Sequence, residues 1–529
     1  MRHTVSHLLL IALVALVAGC QDPVQPAGVT AAATARTGTD PLSKVHPLPA
    51  DLEQKVHRLR VDLEARGFEV ARGYWTLWGV EDCKYPIQSV GFCYGNNPTA
   101  PYVLAVVPRW KDEFVDQRHH HALTQAQRNM SAIYRLDEQE ALVVLAELPP
   151  PARYFGMGTN VFSRQAAINR ADPIYRLMAG EPLLQSILFS ASPNPSRLLM
   201  LASIGNSTND VVIERESGSP WGQQRYFVVT PDAGMADAMT AALRRAGVPT
   251  DDHVFTEPVA PALVRVGLGP EADDLITYIR YALPADSAAG EAWRAELPLT
   301  VLRVRATRGA LPADPFPIPS YEPRTANYDE TVLAGDLGAL VGAVRTRWGQ
   351  PAAQAGSFFS TSRVLDLVGQ HCLGYPDPDR GPMDCLGDTQ DADYQIGPTL
   401  GIDDGQVVAV VGTLGTETGN ATYVSLAVNR FPLLVGVANI SDTDLAGTAE
   451  GFAGALQDDA RLFYVYYVAR DCSGLHPCLE LSRKQVPVGE SIKLLQRNYI
   501  NPGSARGPDP ARILNPVALV LDGRRRPAQ

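Results

Sequence analysis

The chain has 529 residues, of which 45% are hydrophobic and 19% are charged, so it is long enough to bury the cores of two to four domains. Its formal net charge of -11 argues against nucleic acid as a partner, because phosphate binding requires a basic face. Three consecutive arginines occur only in residues 523–529, which we interpret as a solvated basic tail.

An export signal occupies the first twenty residues. Arg2 and His3 precede an apolar stretch from Leu8 to Ala18, which leads to Gly19-Cys20. This arrangement resembles the signal peptide of bacterial lipoproteins, in which small residues before a cysteine form the lipobox. A transmembrane helix is the alternative, but the apolar run is about half of the roughly 20 residues that a bilayer requires.

The resemblance implies a location and a lipid, not an activity. Residues 1–19 are then a removed signal peptide, and Cys20 is the lipidated N-terminus that anchors the protein to a bacterial membrane. Gln21 after the cysteine is similar to the pattern that directs lipoproteins to the outer membrane or the cell surface. Residues 20–49 are rich in Ala, Thr, Pro and Gly, which predicts a flexible tether to an extracytoplasmic body.

Six further cysteines form three local pairs by spacing. Such pairs predict disulfides, because short loops bring cysteines within bonding distance and an exported protein meets an oxidising compartment. The competing interpretation is zinc, since His371 and His476 lie beside or between cysteines, but zinc sites usually space cysteines about two to four residues apart. The predicted pairs are Cys83 with Cys93, Cys372 with Cys385, and Cys472 with Cys478.

Local patterns predict helices and strands in alternation. Asp137 and Glu140 resemble a capping box for a helix over 138–148. A second helix is predicted from Thr230 to Gly247. Strands flank it and recur in the second half of the chain, at 225–229, 253–259, 406–413, 421–428, 433–438 and 462–469.

The strongest architectural signal is an internal duplication. Short matches recur in the same order in both halves of the chain, and their colinearity is what chance explains poorly. Valine-rich strands at 102–107 and 406–412 are interpreted as equivalent, and the extra length of the first half is expected around 193–221. The matches pair Asp51-Leu52, Val56 and Arg60 with Asp336-Leu337, Val341 and Arg345; Cys93, Gly95, Asn96, Ala100 and Tyr102 with Cys385, Gly387, Asp388, Ala392 and Tyr394; Tyr154 and Asn160 with Tyr423 and Asn429; and Arg280 with Arg497.

These patterns predict an α+β fold of two tandem, related domains with antiparallel or mixed sheets. The first domain is predicted over 50–311 and the second over 326–522. A proline-rich linker over 312–325 joins them.

Known catalytic motifs are missing from the sequence. There is no Gly-x-Ser-x-Gly elbow, no His-Glu-x-x-His, no P-loop and no complete dinucleotide fingerprint. We therefore predict no cofactor and no metal, and we lean away from an enzyme, although a catalytic triad is defined by geometry that a sequence does not show.

Three polar or glycine-rich clusters have a functional and a structural interpretation. A histidine cluster is either a transition-metal site or a solvated loop, an acidic loop is either a calcium site or structural, and a glycine-rich segment either holds an anion or is a hairpin connection. The structural interpretation is favoured for each. The clusters are His119-His120-His121 with Asp112, Glu113 and Asp116; Asp388, Asp391 and Asp393 with Asp403-Asp404; and Gly412, Gly415 and Gly419 with Glu417 and Asn420.

Aromatic residues are concentrated around the first cysteine pair. They either contact a ligand or glycan or form the domain core, and we favour the core. The residues are Tyr74, Trp75, Trp78, Tyr94 and Tyr102.

Two function classes follow. The first is a membrane-anchored lipoprotein of the cell envelope that binds an envelope ligand or acts as a scaffold without catalysis. The alternative is an envelope hydrolase with its site in the cleft between the two domains.

Overall fold

Four β-sheets, flanked by helices, make up the body of the protein, which has an α+β fold. The computed structural model describes residues 46–118, 121–192, 194–307, 311–349, 354–377 and 379–525. The predicted signal peptide, Cys20 and most of the predicted tether lie outside these residues. Within the described ranges, no helix has the length and apolar character that a membrane span requires.

The first half of the chain contains the elements up to residue 306. Its helices are α1 Ala50–Ala65, α2 Lys84–Val90, α3 Pro173–Leu177, α4 Pro182–Leu188, α5 Asp210–Ser217, α6 Ala233–Ala246 and α7 Ser287–Glu296. Its strands are β1 Phe68–Arg72, β2 Tyr74–Trp78, β3 Tyr102–Pro108, β4 Met130–Ser131, β5 Glu140–Glu147, β6 Ala152–Gln165, β7 Arg197–Ser203, β8 Thr208–Asn209, β9 Gln224–Thr230, β10 Val254–Pro258, β11 Asp274–Pro284 and β12 Leu299–Ala306.

The second half contains the elements from residue 334 onward. Its helices are α8 Ala334–Arg347, α9 Thr361–Val364, α10 Gly369–Cys372, α11 Gly415–Thr418 and α12 Asp442–Leu445. Its strands are β13 Gln354–Ser357, β14 Phe359–Ser360, β15 Ala392–Gly401, β16 Gln406–Thr413, β17 Tyr423–Phe431, β18 Val435–Ser441, β19 Phe463–Ala469, β20 Cys478–Glu480, β21 Ser491–Tyr499 and β22 Val517–Asp522.

The strand order of the first half is repeated in the second half. Sheet 1 has the order β1-β12-β5-β9-β10, and sheet 3 has the order β13-β22-β16-β19-β20. Sheet 2 has the order β2-β3-β11-β6-β7, with β4 and β8 added at its margins, and sheet 4 has the order β14-β15-β21-β17-β18. The last pair of sheets 1 and 3 is parallel in both cases, and the other neighbours are antiparallel.

Strand register identifies equivalent residues in the two halves. Arg280 lies opposite Tyr102 in sheet 2, and Arg497 lies opposite Tyr394 in sheet 4. Positive φ angles recur at four equivalent places, although bulky residues rarely adopt them. These pairs are Tyr94 and Leu386, Gly95 and Gly387, Leu201 and Leu434, and Leu283 and Ile500.

Each half has three layers, and sheets 2 and 4 face each other at the centre. Helices α1 and α6 cover one face of sheet 1, whose other face packs on sheet 2. Helix α8 covers sheet 3, which packs on sheet 4 in the same way. The remaining faces of sheets 2 and 4 meet in a cluster that includes Tyr154, Ala282, Tyr394 and Tyr499.

Both halves belong to one compact unit, and the predicted domain boundaries at 311/312 and 325/326 stay predictions. Residues of the predicted linker are hydrogen-bonded to the first half. The carbonyl of Asp314 accepts the N–H of Ala233 at 2.7 Å, and the N–H of Phe316 donates to Pro231 at 2.9 Å. The proline-rich segment is therefore packed along its first part.

The predicted helix over 138–148 is wrong, because residues 140–147 form strand β5. The N–H of Asp137 does donate to the Glu140 carboxylate, at 3.0 Å, but this contact precedes a strand. Nearly every residue of β5 is buried. A short, uniformly apolar run fits a strand covered on both faces as well as it fits a helix.

Two further expectations are corrected by the topology. Strand β16 (406–413) is equivalent to β5 and not to β3, whose counterpart is β15. The extra length of the first half lies mainly between β3 and β5 and between β6 and β7, and less in 193–221.

Helix α6 is capped by Asp232, which accepts the N–H of Met235, rather than by Thr230, and it ends at Gly247 with φ +106°. Parallel strands β9 and β10 flank it.

Candidate functional site

Two of the three disulfides hold equivalent loops at the centre of the molecule. The predicted pairs Cys83–Cys93 and Cys372–Cys385 are both formed, with Cα atoms 5.2 and 5.6 Å apart. Each loop connects the second and third strands of its own half. The third predicted pair, Cys472–Cys478, joins residues 5.8 Å apart between β19 and β20.

The two central loops dock reciprocally on the opposite halves. The N–H of Cys93 donates to Leu433 at 2.7 Å, and the N–H of Cys385 donates to Met200 at 2.6 Å. Two residues at equivalent positions complete the contacts. Asn96 accepts the N–H of Gly436 at 2.9 Å, and Asp388 accepts the N–H of Ser203 at 2.8 Å. Each half therefore completes the polar contacts of the other.

The aromatic residues around the first disulfide divide into two groups. Tyr74 and Trp75 are core residues, with 2% and 1% of their surfaces exposed. Trp78 is a third core residue, with 3% of its surface exposed, and the preference for a core role is right for these three. Trp78, Tyr94 and Tyr102 also line a cavity between sheet 2 and the residues that follow Cys93 and Cys385.

This first cavity encloses about 50 Å³. Apart from the Tyr94 hydroxyl, its buried polar groups are paired within the protein. The hydroxyl of Tyr278 donates to the Asn160 side chain at 3.0 Å, and the Asn160 amide donates to the carbonyl of Leu201, also at 3.0 Å. Arg280 donates to the hydroxyls of Tyr278 and Tyr394 at 2.9 and 3.0 Å. We call this space the paired cavity.

A second cavity lies at the equivalent place on the side of sheet 4. It encloses about 40 Å³ and shares Tyr94, Leu201 and Leu386 with the paired cavity. Its other apolar lining comes mainly from helix α4 and from the β17–β18 hairpin. These residues include Leu184, Ile187, Phe431 and Leu434.

Several buried polar atoms at this second cavity have no hydrogen-bond partner within the described chain. They are the Tyr94 hydroxyl, Oδ2 of Asp384, Nη1 of Arg497, and both side-chain polar atoms of Asn429. The first three residues line the cavity, as does Gly95, and Asn429 Oδ1 lies 3.9 Å from the position that a β-carbon on Gly95 would take. We call this space the unpaired cavity.

One residue difference accounts for part of the contrast between the cavities. Register places Leu495 of sheet 4 where sheet 2 has Tyr278. Asn429 is equivalent to Asn160, but it lacks the hydroxyl that Tyr278 supplies. An unpaired buried amide is costly unless water or a ligand satisfies it.

The charged side chains around the unpaired cavity carry more positive than negative charge. Burial, together with the nearby Asp388, raises the pKa of Asp384 to about 8, so this carboxyl is mainly uncharged at neutral pH. Burial lowers the pKa of Lys493, whose ammonium donates to Thr399 at 3.1 Å. The Arg497 guanidinium is 4% exposed and lies 5.2 Å from the Tyr394 ring centre. The charged wall is therefore cationic.

The carboxylates of the acidic loop make hydrogen bonds and ion pairs within the protein, which supports a structural role. Asp388, Asp391 and Asp393 are buried and accept hydrogen bonds from different partners, which include Ser203, Tyr154 and Ser360. Asp403 and Asp404 are exposed elsewhere, and Asp404 pairs with Arg483. The carboxylates do not converge on one point.

Arg324, from the predicted linker, neutralises part of this acidic loop. It is buried and donates to the carbonyl of Ala392 at 2.8 Å. Its charge acts on the carboxyls of the loop, of which Asp393 is the most strongly coupled to it.

The candidate metal residues are scattered. His119 and His120 lie outside the described residues, and His121 is exposed. Nearby, Asp112 pairs with Arg305, Glu113 with Arg303, and Asp116 accepts from Asn194. His371 bonds to Asp366 at 2.7 Å, and the cysteines beside His371 and His476 are in disulfides. No group of three or more potential ligands is found among the described residues.

The glycine-rich segment connects two strands, as expected, but the predicted hairpin is wrong, because β16 lies in sheet 3 and β17 lies in sheet 4. It links β16 to β17 through α11. Buried Glu330 holds the turn by accepting from the hydroxyls of Thr413 and Thr418 and from the Asn420 amide, at 2.6 to 2.9 Å.

The sequence alone does not single out Asp384, Asn429 or Arg497 as a site. Asn429 and Arg497 stand out only as members of the repeat, and Asp384 is the residue directly before Cys385. The repeat itself contains a signal. Where polar residues align but a neighbouring residue differs, as Tyr278 of the first half differs from Leu495 of the second, the two halves have diverged.

Comparisons with known proteins give little context for this site. No protein-family model matches the chain, and no curated protein matches it. A crystal structure of an uncharacterized protein from Burkholderia cenocepacia aligns with 89% of this chain and 88% of its own, at 9% identity and a TM-score of 0.34. A similarity at this level supports no conclusion about function.

Proposed function

We propose that the protein is a lipid-anchored binding protein of the bacterial envelope, which holds a small ligand between its two halves without catalysing a reaction. The observation that carries the proposal is the set of unpartnered buried polar atoms at the unpaired cavity. Such groups in an otherwise apolar pocket are typical of ligand sites, where a few polar atoms fix the orientation of the ligand.

The lining of the two cavities favours binding over hydrolysis. It contains no serine, threonine, cysteine or histidine among the described residues. Hydrolysis of the serine or cysteine type needs a hydroxyl or thiol activated by a base in hydrogen-bond reach, and the polar groups present are tyrosine, tryptophan, asparagine, arginine, lysine and one carboxyl. These side chains donate and accept hydrogen bonds, which suits recognition.

The membrane anchor is proposed from the sequence. The lipobox that ends at Cys20 supports it, and three disulfides are typical of proteins from oxidising compartments. In cells fed radiolabelled palmitate, we expect label in the wild-type protein and none in Cys20→Ala. Label that persists in Cys20→Ala would refute the anchor, while leaving the cavity proposal intact.

The binding proposal is tested on the mature chain without Cys20, residues 21–529, exported behind a signal peptide that is not lipidated. We expect native mass spectrometry to show a bound small molecule that organic solvent releases. Leu184→Trp should prevent its retention, because Leu184 lines the unpaired cavity.

The matched control is Leu183→Trp. Leu183 precedes Leu184 on helix α4, but 52% of its surface is exposed, so this variant should retain the molecule. If no bound molecule is found in the wild type, or if Leu184→Trp and Leu183→Trp retain it equally, the proposed site is wrong.

A further inference from the structure

We infer that the ligand is an anion with an apolar body, of which a carboxylic acid with a short alkyl chain is the simplest member, and that Arg497 binds its charged group. The inference rests on the proposed function and specifies the chemical class of the ligand. It follows from three features of the unpaired cavity: an unpaired guanidinium edge, further unpaired donors, and apolar walls.

Arg497 presents the strongest unpaired donor. Its Nη2 donates to the carbonyl of Gly95 at 2.6 Å, which fixes the guanidinium, while Nη1 is buried without a partner. Its equivalent in the first half, Arg280, uses both terminal nitrogens on tyrosine hydroxyls. Hydrogen bonds from a guanidinium to an anionic oxygen are stronger than those between neutral groups, so an anion is the partner that Arg497 lacks.

Neighbouring groups are donors as well. Tyr94 has an unpaired hydroxyl and Asn429 has an unpaired amide. Lys493 adds an ammonium on the same wall. Asp384, the one carboxyl that lines the cavity, has its pKa raised to about 8 by burial, so near neutral pH it offers a proton rather than a repelling charge.

The remaining walls determine the rest of the ligand. Leu184, Ile187, Leu201, Phe431 and Leu434 surround the polar end with hydrocarbon. The enclosed space is about 40 Å³, and the solvent-filled mouth outside it brings the empty space to about 590 Å³. A ligand with only a charged group, such as a free inorganic anion, would leave these walls in contact with water, which is unfavourable.

The test uses hexanoate and hexan-1-ol as probes, because they share an alkyl chain and differ in charge. Both are titrated by calorimetry at pH 6.5 into the mature chain and its Arg497→Gln and Tyr94→Phe variants. Tyr94→Phe keeps the shape of the side chain and removes only an unpaired hydroxyl, so it remains informative if Arg497→Gln does not fold. Arg430→Gln is the control, because Arg430 pairs with Glu490 outside the cavity lining.

We expect hexanoate to bind at least about tenfold more tightly than hexan-1-ol, which corresponds to about 1.4 kcal/mol. Arg497→Gln should remove this preference, Tyr94→Phe should weaken hexanoate binding several-fold, and Arg430→Gln should change neither probe.

Different failures separate this inference from the proposed function. If both probes bind equally and Leu184→Trp blocks both, the inference that the ligand is an anion is refuted, but the proposed binding site is supported. A co-purifying molecule that is neutral would do the same. No binding of either probe, together with no co-purifying molecule, would overturn both proposals.

Discussion

The paired and unpaired cavities are built by equivalent elements but differ in how their polar groups are satisfied. At the paired cavity, the lining residues Asn160 and Tyr278 bond to each other, and Arg280 behind the lining donates to Tyr278 and Tyr394. The Tyr94 hydroxyl, which has no partner, lines both cavities. In the unpaired cavity, Asn429 and Arg497 keep unpaired atoms beside Leu495. A repeated framework can thus hold one structural network and one group of free donors. The contrast shows where a ligand site can arise without a change of fold.

The largest expected effect concerns Asp384, which has no carboxyl counterpart in the first half, since Phe92 occupies the equivalent position directly before Cys93. The pKa of Asp384 is about 8 in the folded protein, above the ordinary value of 3.8. Between these two pH values, unfolding therefore releases a proton from this carboxyl. This contribution to the free energy of unfolding is fully present below about pH 4 and falls by roughly 1 kcal/mol per pH unit as the pH rises toward 8.

Asp384→Asn should therefore flatten the decline of stability measured by urea unfolding from pH 4 to pH 8. Part of the decline will persist, because burial also raises the pKa values of Asp210 and Glu257 to about 7. Asp403→Asn, at an exposed position, is the control and should leave the slope unchanged. An identical slope in Asp384→Asn would show that this carboxyl is charged in the folded protein.

The equivalent arginines should differ in their importance for stability. Arg280→Met removes the two hydrogen bonds that the guanidinium donates to buried tyrosine hydroxyls. We therefore expect the free energy of unfolding to fall by about 3 kcal/mol. Arg497→Met removes one hydrogen bond to a carbonyl, and we expect a loss of about 1 kcal/mol. Urea unfolding measures both. Equal losses would contradict the view that only Arg280 is part of a completed network.

The two central disulfides should matter more than the peripheral one. Replacing both cysteines of Cys83–Cys93 or of Cys372–Cys385 by alanine should cost about 2 to 3 kcal/mol from chain entropy, plus the loss of docking between the halves. Removing Cys472–Cys478 costs only the entropic part. Equal destabilisation by all three double variants would mean that reciprocal docking contributes little.

Leu495→Tyr makes the second half resemble the first. The new hydroxyl should reach Asn429 as Tyr278 reaches Asn160, which adds about 1 kcal/mol of stability, while the ring fills the unpaired cavity and prevents ligand binding. Tyr278→Leu is the reverse change and should destabilise the protein by a similar amount. If Leu495→Tyr still binds the ligand of the wild type, the unpaired cavity is not the site.

Local features of the fold were predictable from the sequence where short-range physics determines them. Cysteines on short loops formed the expected disulfides, and a short valine-rich run marked β16 within its observed bounds. Strand β5 was mistaken for a helix because its buried, uniformly apolar residues have no period that distinguishes the two. The same uniformity of valine-rich strands led to the wrong pairing of β16 with β3.

The candidate site was beyond sequence analysis because its residues meet through packing over long distances in the chain. Tyr94 is on the loop of one disulfide, Asp384 is on the loop of another, and Arg497 is on β21. Nothing near Asp384 in the sequence indicates full burial. The docking of each loop on the opposite half, which brings these residues together, depends on strand register that no local pattern encodes.

Reciprocal docking also explains the benefit of having both halves in a single polypeptide. A symmetric dimer of one such half would present the same residue at both equivalent positions, because a twofold interface uses identical surfaces. Any substitution that freed one arginine for a ligand would free the other as well, and the network around Arg280 would be lost. Covalent linkage removes this constraint, so one copy of a shared interface is able to specialise while its twin maintains the assembly.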